Sequence, residues 1–164
     1  MKAKRVTFLG LSIALAMILS FVEHQIPALV AVPGVKVGLP NIVMVFLLYR
    51  VGWKETVTVS IIRIILVSML FGNMQTMTFS IAGAVLSLLG MILLKKTNWF
   101  SCITVSILGG IFHNIGQIVA AVFWTGTAQI AFYLPVLLIS GTIAGTLIGI
   151  LAGMMVGRME KWKF

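Results

Sequence analysis

The stretch Pro33-Gly34-Val35-Lys36-Val37-Gly38-Leu39-Pro40-Asn41 interrupts a chain dominated by long apolar runs. Proline lacks the backbone donor that a helix needs and glycine is entropically costly in a helix, so residues 33–40 are predicted to form a loop. The apolar segment that follows, residues 41–51, would give only about 16 Å of helix against a hydrocarbon core of about 30 Å. Part of the loop should therefore lie below the membrane surface, where irregular backbone is tolerated only against protein or a watery cavity. The stretch predicts a binding cavity.

Composition identifies the class of protein. The 164 residues are 60% hydrophobic and 9% charged, and the mean hydropathy is +1.16. A soluble domain of this size could not bury so much apolar surface, so an integral membrane protein is predicted, in contact with the lipid bilayer. The net charge of +9 does not indicate a nucleic-acid partner, because the basic residues form no stripe and stand at the ends of apolar runs. The single cysteine, Cys102, excludes an internal disulfide, and no cluster of ligands predicts a metal or a cofactor.

Apolar runs bounded by turn and charge signals predict one all-α membrane domain over residues 1–164, a bundle of six transmembrane helices. Ten of the twelve Lys and Arg residues fall on ends and connections that would share one side, whereas Lys36 falls on the other side and Arg63 within a span. The positive-inside rule then places both termini in the cytoplasm and the residue 33–40 loop outside. The predicted spans are 6–25, 38–51, 55–71, 77–94, 102–124 and 132–157.

Polar side chains within the predicted spans form a candidate substrate site. An arginine at the centre of a span costs about 2.5–3.5 kcal/mol on insertion scales, so Arg63 should face the bundle interior. Counted along the helices from the basic side, Arg63 lies about 12 Å deep and His113 about 16 Å deep. Asn114 and Gln117 extend the polar face of the fifth span. The alternative for this layer is an interhelical hydrogen-bond network, whose bonds average well under 1 kcal/mol in membranes.

A second group of candidate substrate-binding residues lies nearer the loop. Glu23 and His24 are about 26 Å from the basic side, at the level of Lys36, and Asn41 begins the apolar segment 41–51. The alternative for Glu23, His24 and Lys36 is a wet surface loop. At its depth, Glu23 is predicted to be too far from Arg63 to pair with it directly.

Small residues recur at helical spacing in two spans. They line most helix contacts in membranes, so packing within the bundle is predicted, with a partner-protein face as the alternative. The residues are Gly141, Gly145, Gly149 and Gly153, continued by Gly157, in the sixth span, and Ser12 and Ala16, continued by Ser20, in the first.

Enzymatic chemistry has little support in the sequence. The chain has no aspartate, and its glutamates, Glu23, Glu55 and Glu160, are far apart in predicted depth. They cannot assemble a general acid and base pair or a carboxylate cage for magnesium. A phosphate-binding glycine loop is also absent, so no catalytic residue is predicted.

Several motifs resemble those of the bacterial family called Gx transporters, which is also labelled heptaprenyl diphosphate synthase component I. The resemblance runs over nearly the whole chain, although Pro40 stands where alanine is expected. The motifs are the residue 33–42 stretch, Gly52-Trp53-Lys54-Glu55, Arg63, Leu70-Phe71-Gly72 and His113-Asn114-Ile115-Gly116-Gln117.

The six-span layout is also similar to the substrate-capture (S) components of energy-coupling factor vitamin transporters. This resemblance implies a multi-pass protein of a bacterial plasma membrane that captures a small solute beneath its first external loop. It also implies a transmembrane coupling subunit and ATPases as partners. The alanine-spaced docking motif of S components is absent from the first span, where Gly10 with Ala14 and Ser12 with Ala16 approximate it.

The synthase label implies a different function. Prenyl chain elongation requires aspartate-rich clusters that hold magnesium on the diphosphate, and this chain has none. The label therefore predicts, as an alternative, a non-catalytic membrane subunit that associates with a soluble prenyl diphosphate synthase.

Overall fold

The computed structural model describes residues 2–26 and 37–159, and these residues are helical, with no strand. The all-α prediction is confirmed for them. Lys36 and residues 33–35 of the predicted loop lie outside the described residues. The helices are α1 (Lys2–Gln25), α2 (Asn41–Arg50), α3 (Trp53–Phe71), α4 (Met74–Lys96), α5 (Cys102–Thr125) and α6 (Leu134–Arg158), with a short 3₁₀ helix, Ala128–Tyr133, before α6.

Four of these helices are long and apolar enough to span a membrane. They are α1, α4, α5 and α6, the last extended by the 3₁₀ helix. The ten residues of α2 are too few, and α3 carries three charged residues, Lys54, Glu55 and Arg63. The chain is thus a helical membrane protein with four candidate spans, and the crossing of α2 and α3 stays a prediction.

The short helix α2 lies at the centre of the bundle. It begins at Asn41, directly after Pro40, because proline fits the first turn of a helix and not its interior. Six consecutive residues, 43–48, are buried, so α2 is enclosed on all faces. Val45 and Leu48 pack towards α4, α5 and α6, whereas Phe46 and Leu47 pack towards α1 and α3. A helix that is apolar all round is expected in such a position.

Helices α4, α5 and α6 form one closely packed layer. A Cβ atom added to Gly116 of α5 would lie 2.6 Å from the carbonyl oxygen of Ala82 on α4. One added to Gly110 of α5 would lie 2.6 Å from the carbonyl oxygen of Gly141 on α6. Both contacts are with backbone, which cannot move aside, so glycine is required for this spacing.

The residues of the predicted small-residue faces differ in how closely other helices pack against them. Gly141, Gly145 and Gly149 lie against the backbone of α5, whereas nothing lies within 4 Å of a Cβ atom added to Gly153. On α1, Ser12 and Ala16 are buried inside the bundle and are not available to a partner. Packing within the bundle therefore accounts for these residues except Gly153 and Gly157, where nothing among the described residues lies within 4 Å of an added Cβ atom.

The end of the bundle that carries the basic side chains, here called the basic end, is held by charged contacts. Its basic residues with described side chains are Lys4, Arg5, Arg50, Lys54, Lys95, Lys96 and Arg158. Arg50 Nη2 donates a hydrogen bond to the carbonyl oxygen of Met159 at 2.7 Å, and Lys95 Nζ donates to that of Leu48. These carbonyls lie at helix C-termini, where the chain offers no further backbone donor and the helix dipole favours a cation. Arg5 of α1 forms an ion pair with Glu55 of α3.

Candidate functional site

A cavity lies between the α4–α5–α6 layer and the group formed by α1, α2 and α3. Its volume is about 110 Å³, taken as the space that the centre of a water molecule can reach. One water needs about 10–15 Å³ of such space, so the cavity has room for several waters or a small solute. The polar side chains that line it are Glu23, Asn41, Arg63, Ser80, Ser87, Ser106, His113, Asn114 and Gln117.

Six of the eight predicted substrate-binding residues therefore face one cavity, and their role in binding stays a prediction. Of the other two, Lys36 lies outside the described residues. His24 is absent from the lining: its Nδ1 atom is 2.9 Å from the carbonyl oxygen of Ser20, and its ring stands 6.3 Å from the ring of Phe71.

The described end of the residue 33–40 loop forms part of the cavity wall. Gly38 adopts φ +75°, a left-handed conformation that favours glycine, and a Cβ atom there would lie 3.3 Å from Ile148 Cδ1 on α6. Ile148 precedes the end of α6 at Arg158 by about 15 Å of helix. The irregular backbone thus lies well inside the bundle and borders a cavity, as the shortness of α2 predicts.

Arg63 carries a guanidinium that is only partly satisfied. Its Nη1 atom donates a hydrogen bond to Ser20 Oγ at 3.3 Å. Its Nε atom is buried and has no hydrogen-bond partner among the described residues. A buried donor without a partner is costly, since it has lost its hydration without replacement.

Glu23 and Arg63 line the same cavity, although the depth count gives them separate levels. The count treated each residue as a point on its helix axis, whereas the long Arg63 side chain reaches to Ser20, within one turn of Glu23. No ion pair joins Glu23 to Arg63 in the described structure; the Glu23 carboxylate accepts a hydrogen bond from the backbone N–H of Gly38.

The three α5 residues that line the cavity differ in their contacts with the neighbouring helices. Asn114 is buried, and its Nδ2 atom donates a hydrogen bond to the carbonyl oxygen of Leu137 on α6. This bond supports the hydrogen-bond-network alternative for Asn114. The His113 ring lies against Gly83, where an added Cβ atom would be 2.9 Å from the ring. Gln117 is half-buried at the cavity wall.

Comparison with known proteins places the chain in a family. Residues 12–155 match the family described as heptaprenyl diphosphate synthase component I. The chain belongs to this component I family. The matched range contains every residue that lines the cavity, so the cavity lies within the family region. No curated protein and no solved structure matches the chain.

Sequence reasoning missed three serines in this component I protein. Ser80 and Ser87 of α4 and Ser106 of α5 line the cavity but are not among the predicted substrate-binding residues. The available signal was spacing: Ser80 and Ser87 are seven residues apart, so they share a face of α4. A serine in a membrane helix is both small and polar, and only the neighbouring helices decide which property is used.

The groups that line this component I site can bind a ligand through charge and hydrogen bonds. The site presents a carboxylate, a guanidinium, an imidazole, amides and hydroxyls around one cavity. Within residues 2–26 and 37–159, no group of three His, Cys, Asp or Glu residues could hold a metal ion. These groups suit a small polar ligand bound by charge and hydrogen bonds.

Proposed function

We propose that this component I protein captures a small solute with an anionic group and delivers it across the plasma membrane of a bacterium. One observation carries the proposal: the buried Nε atom of Arg63, at a cavity, lacks a hydrogen-bond partner in the described structure. An ionisable residue within a membrane segment is a functional candidate by default. An anionic oxygen of a ligand would satisfy the unused donor of Arg63 through a charge-assisted hydrogen bond.

The remaining lining groups would fix the ligand's orientation. Asn41, at the start of α2, and Gln117, on α5, offer amide donors and acceptors from opposite walls. Ser87 and Ser106 add hydroxyls on the side nearer the basic end. Nine of the 21 residues that line the cavity have polar side chains, so the wall suits a small polar ligand.

Topology and partners complete the proposal. With six spans and the basic end in the cytoplasm, the ligand enters from outside, beneath the residue 33–40 loop. Transport against a gradient requires energy, which a transmembrane coupling subunit with ATPases would supply. Gly10 and Ala14 are exposed on α1, and nothing lies within 4 Å of a Cβ atom added to Gly10. This small-residue face is the candidate contact with that subunit, because Ser12 and Ala16 are buried.

The proposal is tested by extracting the protein from native membranes and identifying any co-purified small molecule by mass spectrometry. The Arg63→Gln variant should lose the molecule, while Arg158→Gln, at the exposed end of α6, should retain it. Retention by Arg63→Gln would remove Arg63 from the site. Capture would be rejected if the unaltered protein carried no bound solute and if cells that lack the protein took up solutes as well as cells that contain it.

A second candidate function is a non-catalytic membrane partner of a soluble prenyl diphosphate synthase. The description of the matched family favours it. In that case the synthase would bind the basic end, where Lys54 and Lys96 are exposed. A pull-down from native membranes separates the two functions, because capture predicts ATPases and a coupling subunit whereas anchoring predicts a soluble synthase. Anchoring also predicts that substitutions of Arg63 and Gln117 do not change the amount of synthase that is pulled down.

A further inference from the structure

The cavity contains two opposite charges that do not pair with each other. Glu23 and Arg63 both line it, yet no ion pair connects them in the described structure. Each is held by a neutral group instead: the Glu23 carboxylate accepts from the N–H of Gly38, and Arg63 Nη1 donates to Ser20 Oγ. The Gly38 N–H belongs to the loop before α2, and the Ser20 hydroxyl belongs to α1.

Opposite charges in a low-dielectric interior attract strongly, and a direct ion pair would offset part of their desolvation. Here that pairing is not made, although both side chains border the same cavity. The arrangement leaves one anionic and one cationic group, each with capacity for a further contact. Arg63 Nε has no hydrogen-bond partner in the described structure, and the single hydrogen bond to Glu23 leaves its carboxylate able to accept more.

We propose that this end of the cavity binds a zwitterion, with the cationic group of the ligand at the Glu23 carboxylate and its anionic group at the Arg63 guanidinium. The inference rests on the proposed capture function and narrows its substrate class. The formal charges of Glu23 and Arg63 cancel, so a net-neutral ligand matches them. A dianion would place a second negative charge towards Glu23, and like charges at close range are unfavourable.

Four probes of the same carbon number separate the charge classes: γ-aminobutyrate (zwitterion), butyrate (monoanion), butylammonium (monocation) and succinate (dianion). The purified full-length protein in lipid nanodiscs is heated at increasing concentrations of each probe, and the shift in unfolding midpoint is measured. Ligands that bind the native state raise the midpoint according to their concentration and affinity. We expect γ-aminobutyrate to reach its half-maximal shift at a concentration about tenfold lower than the other three, the ratio that one charged hydrogen bond supplies.

Two variants test which residue binds the cationic group of the ligand and which binds its anionic group. Glu23→Gln keeps an oxygen that can accept from Gly38, and it should remove the preference for γ-aminobutyrate over butyrate while improving succinate binding. Arg63→Gln should remove the preference for γ-aminobutyrate over butylammonium. Glu55→Gln is the matched control, because Glu55 pairs with Arg5 at the basic end, away from the cavity. It should keep the preference of the unaltered protein.

Equal or stronger stabilisation by butyrate or succinate would overturn the zwitterion assignment, as would a γ-aminobutyrate preference that survives Glu23→Gln. Failure of all four probes would also overturn it, since the charge pair alone would then not confer binding. None of these three results contradicts the proposed capture function, which is tested by the co-purified solute and by uptake. Absence of any captured solute would instead reject the function while leaving the probe preference measurable.

Discussion

Gly145 of α6 lies so close to Ile107 of α5 that a Cβ atom added to the glycine would stand 2.7 Å from the Ile107 Cα atom. The neighbouring carbonyl oxygen of Ser106 would be 2.9 Å away. Both atoms are backbone, so the two helices would have to separate to admit a methyl group. Ser106 lines the cavity, which means that this helix contact also sets the position of one cavity wall.

Gly145→Ala is therefore expected to lower the free energy of unfolding by about 1–3 kcal/mol, the usual cost of overpacking. Gly153→Ala is the matched control on the same helix, because nothing lies within 4 Å of its added Cβ atom. Its stability should be unchanged or slightly raised, since alanine favours a helix more than glycine does. Thermal unfolding followed by circular dichroism gives both values. Equal stability of the two variants would contradict the close α5–α6 contact.

Gly38→Ala should be destabilising for two separable reasons. The residue has φ +75°, which costs an L-residue roughly 1–2 kcal/mol, and an added Cβ atom would lie 3.1 Å from Asn41 Nδ2. Gly126→Ala isolates the first cost, because Gly126 has φ +65° and open space around it. We expect Gly38→Ala to unfold at a lower temperature than Gly126→Ala and to weaken solute binding. If the Gly126 variant were the less stable, the loop end would not pack against the start of α2.

Lys95 and Lys96 are adjacent in sequence but differ in their contacts. Lys95 Nζ donates to the carbonyl oxygen of Leu48 and stands 5.1 Å from the centre of the Tyr49 ring, whereas Lys96 is exposed. Lys95→Met should lower the free energy of unfolding by about 1–2 kcal/mol through loss of these contacts. Lys96→Met should leave it within about 0.5 kcal/mol. Chemical denaturation in detergent measures both, and a larger effect at Lys96 would disprove the capping role of Lys95.

The six-span topology can be tested by cysteine labelling of intact cells. In a Cys102→Ser background, single cysteines replace the exposed residues Met74, Thr97 and Thr127. A membrane-impermeant thiol reagent should modify positions 74 and 127 from outside, and position 97 only after the membrane is permeabilised, because the basic end is cytoplasmic. Labelling of position 97 in intact cells would show that the basic end faces outside, opposite to the predicted orientation. A single cysteine at the exposed position 54 separates six spans from four: it should be modified only after permeabilisation if α2 and α3 both cross, and in intact cells if neither crosses.

Much of the fold could be predicted from local patterns. The start of α2 at Asn41 follows from Pro40, and its short length follows from the apolar run that ends at Arg50. The long helices follow from apolar composition and from their boundary residues. For example, Ser101 caps α5 by accepting a hydrogen bond from the backbone N–H of Thr104, as serine at such a position favours.

The relative positions of residues on different helices were harder to predict from the sequence. Counting along each axis gave Glu23 and Arg63 separate levels, because side-chain reach does not enter such a count. The openness of Gly153 and Gly157 was also not predictable, since the same small-residue spacing serves contacts that are made, as at Gly145, and contacts that are left open.

Local sequence patterns are sufficient to predict a helical membrane protein, because hydrophobicity, charge and proline or glycine breaks act within a few residues of one another. They also indicate which polar residues are too costly to face lipid, above all Arg63. The shared cavity of Glu23, Arg63 and the α5 polar face with Ser80, Ser87 and Ser106 is visible only in the packed helices. That arrangement depends on how closely glycines allow α4, α5 and α6 to approach, and on where side chains from separate helices meet, which no local pattern specifies.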